Sequence, residues 1–240
     1  MTWPPGTIGV GCGELARYTA FTVSLASTVQ PDGTNLVVVT SASIVDNLNT
    51  IVRSMRPEDE WLWLVGDDHC WEQDALMRLL ATMDRTGAEI VVPLVCRRNP
   101  PWDLVIATEQ TGTDDAGYPV YRMLRYDELP GEGTVEVVAS GNAGMLISRG
   151  VLDRLGDPWF GSTTGTVLNE DFWFCHRARA EAGAAIVADV GVTMGHIGTY
   201  RVWPYQRGDT WGTYTDFAAV GAGQMELFLE GGPRERARAV

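Results

Sequence analysis

Residues 61–71 read Trp-Leu-Trp-Leu-Val-Gly-Asp-Asp-His-Cys-Trp. The five apolar residues 61–65 predict a strand buried on both faces, of the kind found in the middle of a parallel sheet. The run ends in a glycine, two carboxylates and a histidine, at the end of the strand where open α/β sheets bind ligands. Adjacent carboxylates repel each other, so a site that keeps them together usually supplies a cation. Alternatively, Asp67 and Asp68 form a turn and the N-cap of a helix over residues 71–85, a position that aspartate also favours.

The composition narrows the class of protein. The chain has 240 residues, 45% of them hydrophobic, enough for one large globular domain or two small ones. Acidic residues outnumber basic ones by 31 to 18, for a net charge of −13. This field opposes a polyanion at long range, so nucleic acid is disfavoured as a partner. Residues 1–13 have no basic region followed by a long apolar core, so we expect no secretory signal. The sequence has no Cys-x-x-Cys pair and no stretch near the roughly 20 apolar residues of a membrane span. We therefore expect a cytoplasmic protein with buried thiols.

Strand and helix patterns alternate through the first part of the chain. Apolar or β-branched runs predict strands, and apolar residues at helical spacing predict the helices between them. Because the connections are short, this alternation favours a parallel, doubly wound α/β sheet. The predicted strands cover residues 7–10, 36–40, 61–65 and 89–96, and the predicted helices cover residues 15–29, 44–55 and 71–85.

The pattern changes after Cys96. Residues 104–109 and 118–124 flank a turn-rich segment and predict a hairpin. Residues 198–240 are rich in Trp, Tyr, Gly and Arg and show no clear periodicity. No linker or repeat divides the chain, so we expect one domain with a nucleotide-binding-like first half and an irregular second half. The other predicted elements are strands at 135–138, 143–148, 185–188 and 192–194, and helices at 151–155 and 170–182.

Asn169, Glu170 and Asp171 precede an amphipathic helix. Under a structural interpretation, Asn169 caps the helix and the two acids complement its dipole. Under a catalytic one, a carboxylate at the helix start acts as a general base, because it is held rigidly at the edge of a cleft. Taken alone, the motif favours the structural interpretation.

Three histidines and several arginines are further candidates for binding. His196 lies between two glycines after a predicted strand, whereas His176 lies on the charged face of its helix. His196 becomes a candidate metal ligand if the fold brings it near Asp68, because an imidazole and a carboxylate suit a divalent ion. Arginines beside aromatic residues are candidate phosphate or sugar contacts. They are Arg97, Arg98, Arg201 and Arg207.

Taken in order, four segments resemble those of GT-A-fold glycosyltransferases, similar to the family-2 type and to small bacterial and phage-encoded relatives. The acidic motif departs from the family's Asp-x-Asp. When the two are aligned by the distance to the following helix, Gly66 stands in place of the first Asp and Asp68 in place of the last. Another register reads Asp67-x-His69. The segments are residues 41–49 behind the donor site, 61–76 with the metal motif, 140–147 at the acceptor pocket, and 169–175 together with Gly195-His196.

The resemblance implies a single GT-A domain, Rossmann-like, with a doubly wound and mostly parallel sheet. Residues 1–98 would bind the nucleotide sugar, residues 99–197 would form the acceptor and catalytic half, and residues 198–240 would form a C-terminal lid and tail. The implied metal ligands are Asp68, then His196, with Asp67 and His69 as further members. The implied donor contacts are Ser41, Asn47, Asn49, Gly66, Arg97 and Arg201, and the implied acceptor contacts are Trp102, Gly141, Asn142 and Trp173.

The implied activity is transfer of a sugar from a nucleotide-sugar donor to an acceptor hydroxyl of unknown type. Mn²⁺ or Mg²⁺ would stabilise the departing diphosphate. A carboxylate would take the proton of the hydroxyl, with Asp171 as the candidate and Glu170 as the alternative. One base without an enzyme nucleophile suggests inversion at the anomeric carbon.

Two other classes of function stay open. A metal-dependent hydrolase could activate water with the Asp-Asp-His cluster and His196, and would release product without an acceptor. A non-catalytic nucleotide-sugar- or carbohydrate-binding module would bind its ligand without turnover. A sugar-1-phosphate nucleotidyltransferase is disfavoured, because no Gly-rich, Arg/Lys-bearing phosphate loop follows the first strand.

Overall fold

A computed structural model gives the fold of the chain. It describes residues 3–12, 18–41, 43–115, 117–162, 169–198, 200–219 and 223–230, and for 216–219, 223–227 and 229–230 it describes the backbone alone. Leu15, at the start of the first predicted helix, lies outside the described residues, and so do residues 163–168 before the helix at 170–182.

The first part of the chain confirms the predicted alternation, with one correction. Residues 69–71 form a strand, so the helix after the acidic motif begins at Ala75 and neither Asp67 nor Asp68 caps it. The two aspartates form the tight turn between two strands. The elements are β1 (Thr7–Cys12), α1 (Thr19–Ser27), β2 (Asn35–Thr40), α2 (Ile44–Arg53), β3 (Trp61–Gly66), β4 (His69–Trp71), α3 (Ala75–Thr86) and β5 (Ile90–Val95).

The second part contains the predicted hairpin and a larger share of strand than expected. The two short strands predicted at 185–188 and 192–194 form one long strand, interrupted by an irregularity between Asp189 and Thr193. The elements are β6 (Ile106–Thr113), β7 (Pro119–Met123), β8 (Thr134–Glu136), β9 (Ala139–Ser140), β10 (Leu146–Ser148), α4 (Arg149–Leu155), α5 (Glu170–Ala180), β11 (Ile186–Ile197), β12 (Arg201–Arg207), β13 (Thr210–Ala219) and β14 (Gly223–Glu230).

A large sheet runs through the described part of the molecule, in the order β14-β13-β12-β11-β5-β10-β3-β1-β2. Strands β1, β2 and β3 are parallel, as are β5 and β11. Strand β10 lies between β3 and β5 and is antiparallel to both. The predicted α/β class is therefore confirmed, but the prediction of a mostly parallel sheet is wrong: the sheet is mixed, because β10 and β12–β14 run antiparallel to their neighbours.

Helices cover both faces of the sheet, as a doubly wound arrangement requires. Successive side chains of β3 point to opposite faces, so Leu62 and Leu64 join the core beneath α2, α4 and α5. Trp61 and Trp63 join the core beneath α1 and α3. This explains the unbroken apolar run in the sequence. Among the described residues, no helix has the length and hydropathy of a membrane span.

The last part of the chain, which shows no periodicity in the sequence, extends the sheet. Strands β12, β13 and β14 follow β11 as an antiparallel meander. Trp211 is buried, and its Nε1 donates a hydrogen bond to the carbonyl of Pro130 at 3.0 Å. The idea that this segment acts as a lid stays a prediction.

Candidate metal and reaction centre

Asp68 and two histidines meet at the end of β3. The Oδ1 atom of Asp68 lies 2.8 Å from Nδ1 of His69, and its Oδ2 atom lies 3.2 Å from Nε2 of His196. Each of the three residues offers one possible ligand atom, and these three atoms all lie within 4.8 Å of one another. The predicted approach of Asp68 and His196, which are 128 positions apart, is therefore present in the structure.

Strand pairing brings the two histidines together. Strand β4 pairs antiparallel with β11, and this pairing places His69 directly opposite His196. Their ring centroids are 4.2 Å apart. Nδ1 of His196 lies 3.0 Å from the carbonyl oxygen of Cys96, which leaves Nε2 to face Asp68. The backbone of Asp68 is fixed as well, because its carbonyl accepts a hydrogen bond of 2.7 Å from the amide of Ile197.

The cluster fits a divalent metal ion. Nδ1 of His69 is buried and, despite its short distance to Asp68, makes no hydrogen bond of acceptable geometry. A buried ring nitrogen in that state suits metal coordination. One carboxylate with two imidazoles is also a donor set that Mn²⁺ and similar ions accept. Asp67 is not a member of the cluster in the described structure.

Gly66 makes this approach of side chains possible. A Cβ atom at Gly66 would lie 2.7 Å from Nδ1 of His69 and 3.0 Å from Oδ1 of Asp68, and the first distance is too short for any side chain. The His69 ring thus occupies the space that a side chain at position 66 would need.

The electrostatics of the cluster favour the forms that bind cations. Burial acts to raise the pKa of Asp68, but the close approach of the His196 and His69 ring nitrogens to its two oxygens outweighs burial and holds the pKa well below its ordinary value. Burial lowers the pKa of His69, and the attraction of Asp68 only partly opposes this. The carboxylate is therefore ionised and the His69 imidazole neutral at pH 7.

Asp171 has the properties expected of a general base. It lies in the first turn of α5 and is partly buried. Burial, together with the charge of Glu170, raises its pKa to about 7, although backbone amides of Phe172 and Asn142 act to lower it. The amide of Phe172 donates to Oδ1 at 2.7 Å. A carboxyl with a pKa near the working pH exchanges protons efficiently.

One small cavity joins Asp171 to the metal cluster. It has a volume of about 120 Å³. Gly141 and Asn142 from the loop before β10 line it together with Asp171, His69 and His196. A Cβ atom at Gly141 would lie 3.1 Å from Cγ1 of Val105 and 3.6 Å from Oδ2 of Asp171, so glycine keeps this cavity open.

A larger cavity lies on the other side of Asp171. It has a volume of about 650 Å³ between β7 and the start of α5. Arg97, Tyr121 and Phe172 line it with Asp171. The hydroxyl of Tyr121 is buried without a hydrogen-bond partner. Asp171 thus faces both cavities, whereas Glu170 lines neither of them.

The three polar residues predicted beside the donor have different surroundings. Ser41 is exposed, and its Oγ accepts a hydrogen bond from the amide of Ser43. Asn47 donates to the carbonyl of Cys12 at 3.1 Å, and its buried Oδ1 has no partner. Asn49 is buried, and its amide bonds to the backbone of Trp159 and Phe160. The structure therefore gives Asn49 an architectural role.

The remaining predicted contacts are not part of the small cavity. Trp102 donates from Nε1 to the hydroxyl of Tyr200 at 3.3 Å. Trp173 lies beneath the guanidinium of Arg177, 4.8 Å from it. Arg201 stacks on Trp203 and lines a separate aromatic cleft of about 760 Å³. Their contacts with donor or acceptor stay predictions.

Arg98 contacts Asp68, and no pattern in the sequence predicts this contact. The Nη1 atom of Arg98 lies 3.3 Å from Oδ2 of Asp68, the oxygen that also faces His196. The adjacent pair of arginines is visible in the sequence, but no local pattern indicates that one of them pairs with an acid 30 positions earlier.

Comparison with known proteins supports the fold. No protein-family model matches the chain, and no curated protein matches its sequence. The crystal structure of A197 from STIV matches with a TM-score of 0.56 and 10% identity, over 82% of this chain and 88% of that one. A crystal structure of GalNAc-T7 with UDP, GalNAc and Mn²⁺ matches with a TM-score of 0.53 and 14% identity, over 86% of this chain but 45% of that one. This likeness confirms a GT-A-like fold.

Proposed function

We propose that the protein is a glycosyltransferase that moves a sugar from a nucleotide-sugar donor to an acceptor hydroxyl, assisted by a divalent metal ion. The observation that carries the proposal is the shared cavity. A carboxyl with a pKa of about 7 and an Asp-His-His cluster face the same small space at the end of a central strand. The GT-A-like fold is the second support, since the matching GalNAc-T7 structure contains UDP, GalNAc and Mn²⁺.

Asp68, His69 and His196 would hold the ion, Mn²⁺ or Mg²⁺. A bound divalent ion would supply positive charge to stabilise the diphosphate as it leaves. The protein's part is to hold the ligands in place through the β4–β11 pairing, through the contact of His196 with Cys96, and through the absence of a side chain at Gly66.

Asp171 would take the proton of the acceptor hydroxyl. Its carboxylate is the form that accepts a proton, and a pKa of about 7 gives a substantial fraction of that form at neutral pH. The acceptor would lie in the cavity between β7 and α5, with its hydroxyl at Asp171. A base with no enzyme nucleophile supports inversion at the anomeric carbon.

The donor would lie along the ends of β1, β2 and β3. Ser41, Asn47 and Gly66 are the donor residues that the geometry supports best, because they flank those strand ends. Arg97, Arg201, Trp102 and Trp173 remain proposed contacts of donor or acceptor. We assign the structural role of Asn49 in preference to a donor contact.

A thermal-shift screen tests the donor site. UDP-, GDP-, CMP- and dTDP-sugars are added with and without Mn²⁺, and at least one is expected to raise Tm in a Mn²⁺-dependent way. Asp68→Asn is expected to abolish the Mn²⁺-dependent part, and Asp171→Asn to retain it. If no nucleotide sugar raises Tm, the proposal is wrong.

Product analysis then separates the three classes of function. Wild-type protein, Asp171→Asn and the neighbouring control Glu170→Gln are incubated with the donor that binds, with and without candidate acceptors. A transferase yields a glycosylated acceptor, with loss in Asp171→Asn but not in Glu170→Gln. Equal release of free sugar without any acceptor would indicate a hydrolase, and binding without turnover would indicate a binding module.

A further inference from the structure

Two neighbouring arginines on the loop after β5 point to different parts of the reaction centre. Arg98 contacts Asp68, with 3.3 Å between Nη1 and Oδ2. Arg97 instead lines the cavity between β7 and α5, where it shares the space with Asp171. The two residues carry equal charge and differ by one position, but only Arg98 reaches the proposed metal ligand.

Contacts with the segment after β11 hold Arg98 in place. A Cβ atom at Gly198 would lie 3.1 Å from Cδ and 3.4 Å from Cγ of Arg98, so the stem of the arginine passes close over this glycine. The hydroxyl of Tyr200 donates to the carbonyl of Arg98 at 2.9 Å. The guanidinium is therefore kept beside Asp68, although 47% of the Arg98 side chain is exposed.

The position of the Arg98 guanidinium affects how the cluster can bind a cation. Asp68 is the single carboxylate among the three clustered ligands, and Arg98 already neutralises it. A divalent ion that entered alone would be repelled by the guanidinium and would have to compete with it for Oδ2. A diphosphate removes that repulsion, because its negative charges attract both cations and guanidinium forks match phosphate oxygens.

We infer that Arg98 makes metal binding depend on the diphosphate of the donor: it weakens binding of the ion to the free protein and strengthens binding of the ion together with the diphosphate. This inference rests on the proposed function, since it takes Asp68 as a metal ligand. The ion and the nucleotide would then enter as a coupled pair, which disfavours a metal-loaded centre without donor.

Titration calorimetry with Mn²⁺ tests the inference. Wild type, Arg98→Gln and the matched control Arg97→Gln are titrated alone and with saturating UDP, GDP, CDP or dTDP. Without nucleotide, Arg98→Gln is expected to bind Mn²⁺ about 5- to 10-fold more tightly than wild type. This factor is at the lower end of the range found for coupled binding sites, because the Arg98 guanidinium is half exposed and solvent screens its charge. The tightening of Mn²⁺ binding by nucleotide is expected to shrink by a similar factor. Arg97→Gln is expected to match wild type in the titration without nucleotide, in which its proposed contact with donor or acceptor takes no part.

The outcomes separate this inference from the proposed function. Loss of Mn²⁺ binding in Asp68→Asn would support the metal site, and unchanged binding in that variant would overturn the proposed function itself. If Asp68→Asn loses the ion while Arg98→Gln binds it as wild type does, or more weakly, the role of Arg98 is wrong and the metal site stands. Circular dichroism and Tm of each variant establish that the fold is retained.

Discussion

Asp171 combines two demands that oppose each other. Its carboxyl must lose a proton to act as a base, yet burial and the charge of Glu170 disfavour the ionised form and raise the pKa to about 7. The reaction is therefore expected to depend on pH near neutrality. Between pH of about 5.5 and 7, kcat/KM should rise roughly 15-fold in all and then level off, as a pH profile at saturating Mn²⁺ would show. A flat profile across this range would contradict a base with a pKa of about 7.

The same pKa shift predicts the stability of Asp171→Asn. A group whose pKa is higher in the folded protein favours folding below its unfolded pKa, and this contribution is lost as pH rises through the folded value. Between pH of about 4 and 7, wild type should therefore lose stability relative to Asp171→Asn. The variant should exceed wild type in Tm by several degrees at pH of about 8 and by much less at pH of about 4. A difference that does not change with pH would contradict the assigned pKa.

Gly66 is expected to affect metal binding only by leaving room for the side chains of His69 and Asp68. In Gly66→Ala the new Cβ would collide with the His69 ring and press on Asp68, so Mn²⁺ affinity should fall at least about tenfold while the sheet persists. Gly11 is the matched control, because it pairs directly with Gly66 across β1 and β3 and has no neighbour closer than 3.5 Å to a new Cβ. Calorimetry that finds normal Mn²⁺ binding in Gly66→Ala, or loss in Gly11→Ala, would contradict this.

At the scale of the elements, the side-chain amide of Asn49 connects helix α2 to the segment before α5. Asn49 accepts hydrogen bonds from the amides of Trp159 and Phe160 and donates to the carbonyl of Phe160. Asn49→Ala would leave these buried groups unpaired, so it is expected to lower the free energy of unfolding by about 2–4 kcal/mol. Asn47→Ala loses a single hydrogen bond and removes an unpaired oxygen, so its effect should be smaller.

Urea unfolding of the two asparagine variants measures this difference. If Asn49→Ala is as stable as wild type but binds the donor more weakly, the residue contacts the donor after all and the architectural assignment is wrong.

Local patterns predicted the elements that form between near neighbours in sequence. The apolar runs of β1, β3 and β5 and the apolar faces of α2 and α3 are clear in the sequence. Strand β4 was missed because it is short and owes its form to pairing with β11, more than a hundred positions later. Strand β12 was missed because Val202 is buried on one face while Trp203 and Tyr205 are apolar on the other, which hides the period of two.

The candidate site was predictable to a similar extent. The acidic turn, His196 and the Glu-Asp helix start are visible as motifs, and resemblance to a family suggested that they belong together. The sequence contains no sign of the Arg98 contact, of the crowding at Gly66 or of the unpaired nitrogen on His69. Each of these depends on distances between segments that only the folded sheet sets.

At the scale of the whole molecule, the last strands separate two interpretations of the C-terminal part. If β12–β14 complete the sheet, removal of residues 199–240 uncovers the end of β11 at His196 and Ile197 and takes away buried apolar side chains such as Val202 and Trp211. Burial of each such side chain contributes about 1.5–3 kcal/mol, so the Tm of the shortened chain should fall by at least about 10 °C. A simple lid would leave Tm without ligand unchanged and abolish the increase on donor binding. Differential scanning fluorimetry with and without donor separates the two.

The position of β10 has a consequence for how the polypeptide acquires its shape. Both sheet neighbours of β5, and one of the two neighbours of β3, come from residues after 140. A nascent chain that has been synthesised only to residue 98 therefore contains two central strands, β3 and β5, with unpaired edges. The sheet cannot be completed until β10 has been synthesised and has inserted between them. Residues 1–98 expressed alone should be unfolded or aggregated by circular dichroism, and co-expression with residues 99–240 should rescue them. The two halves are thus interleaved, so neither is expected to have existed as a free-standing module that was later joined to the other.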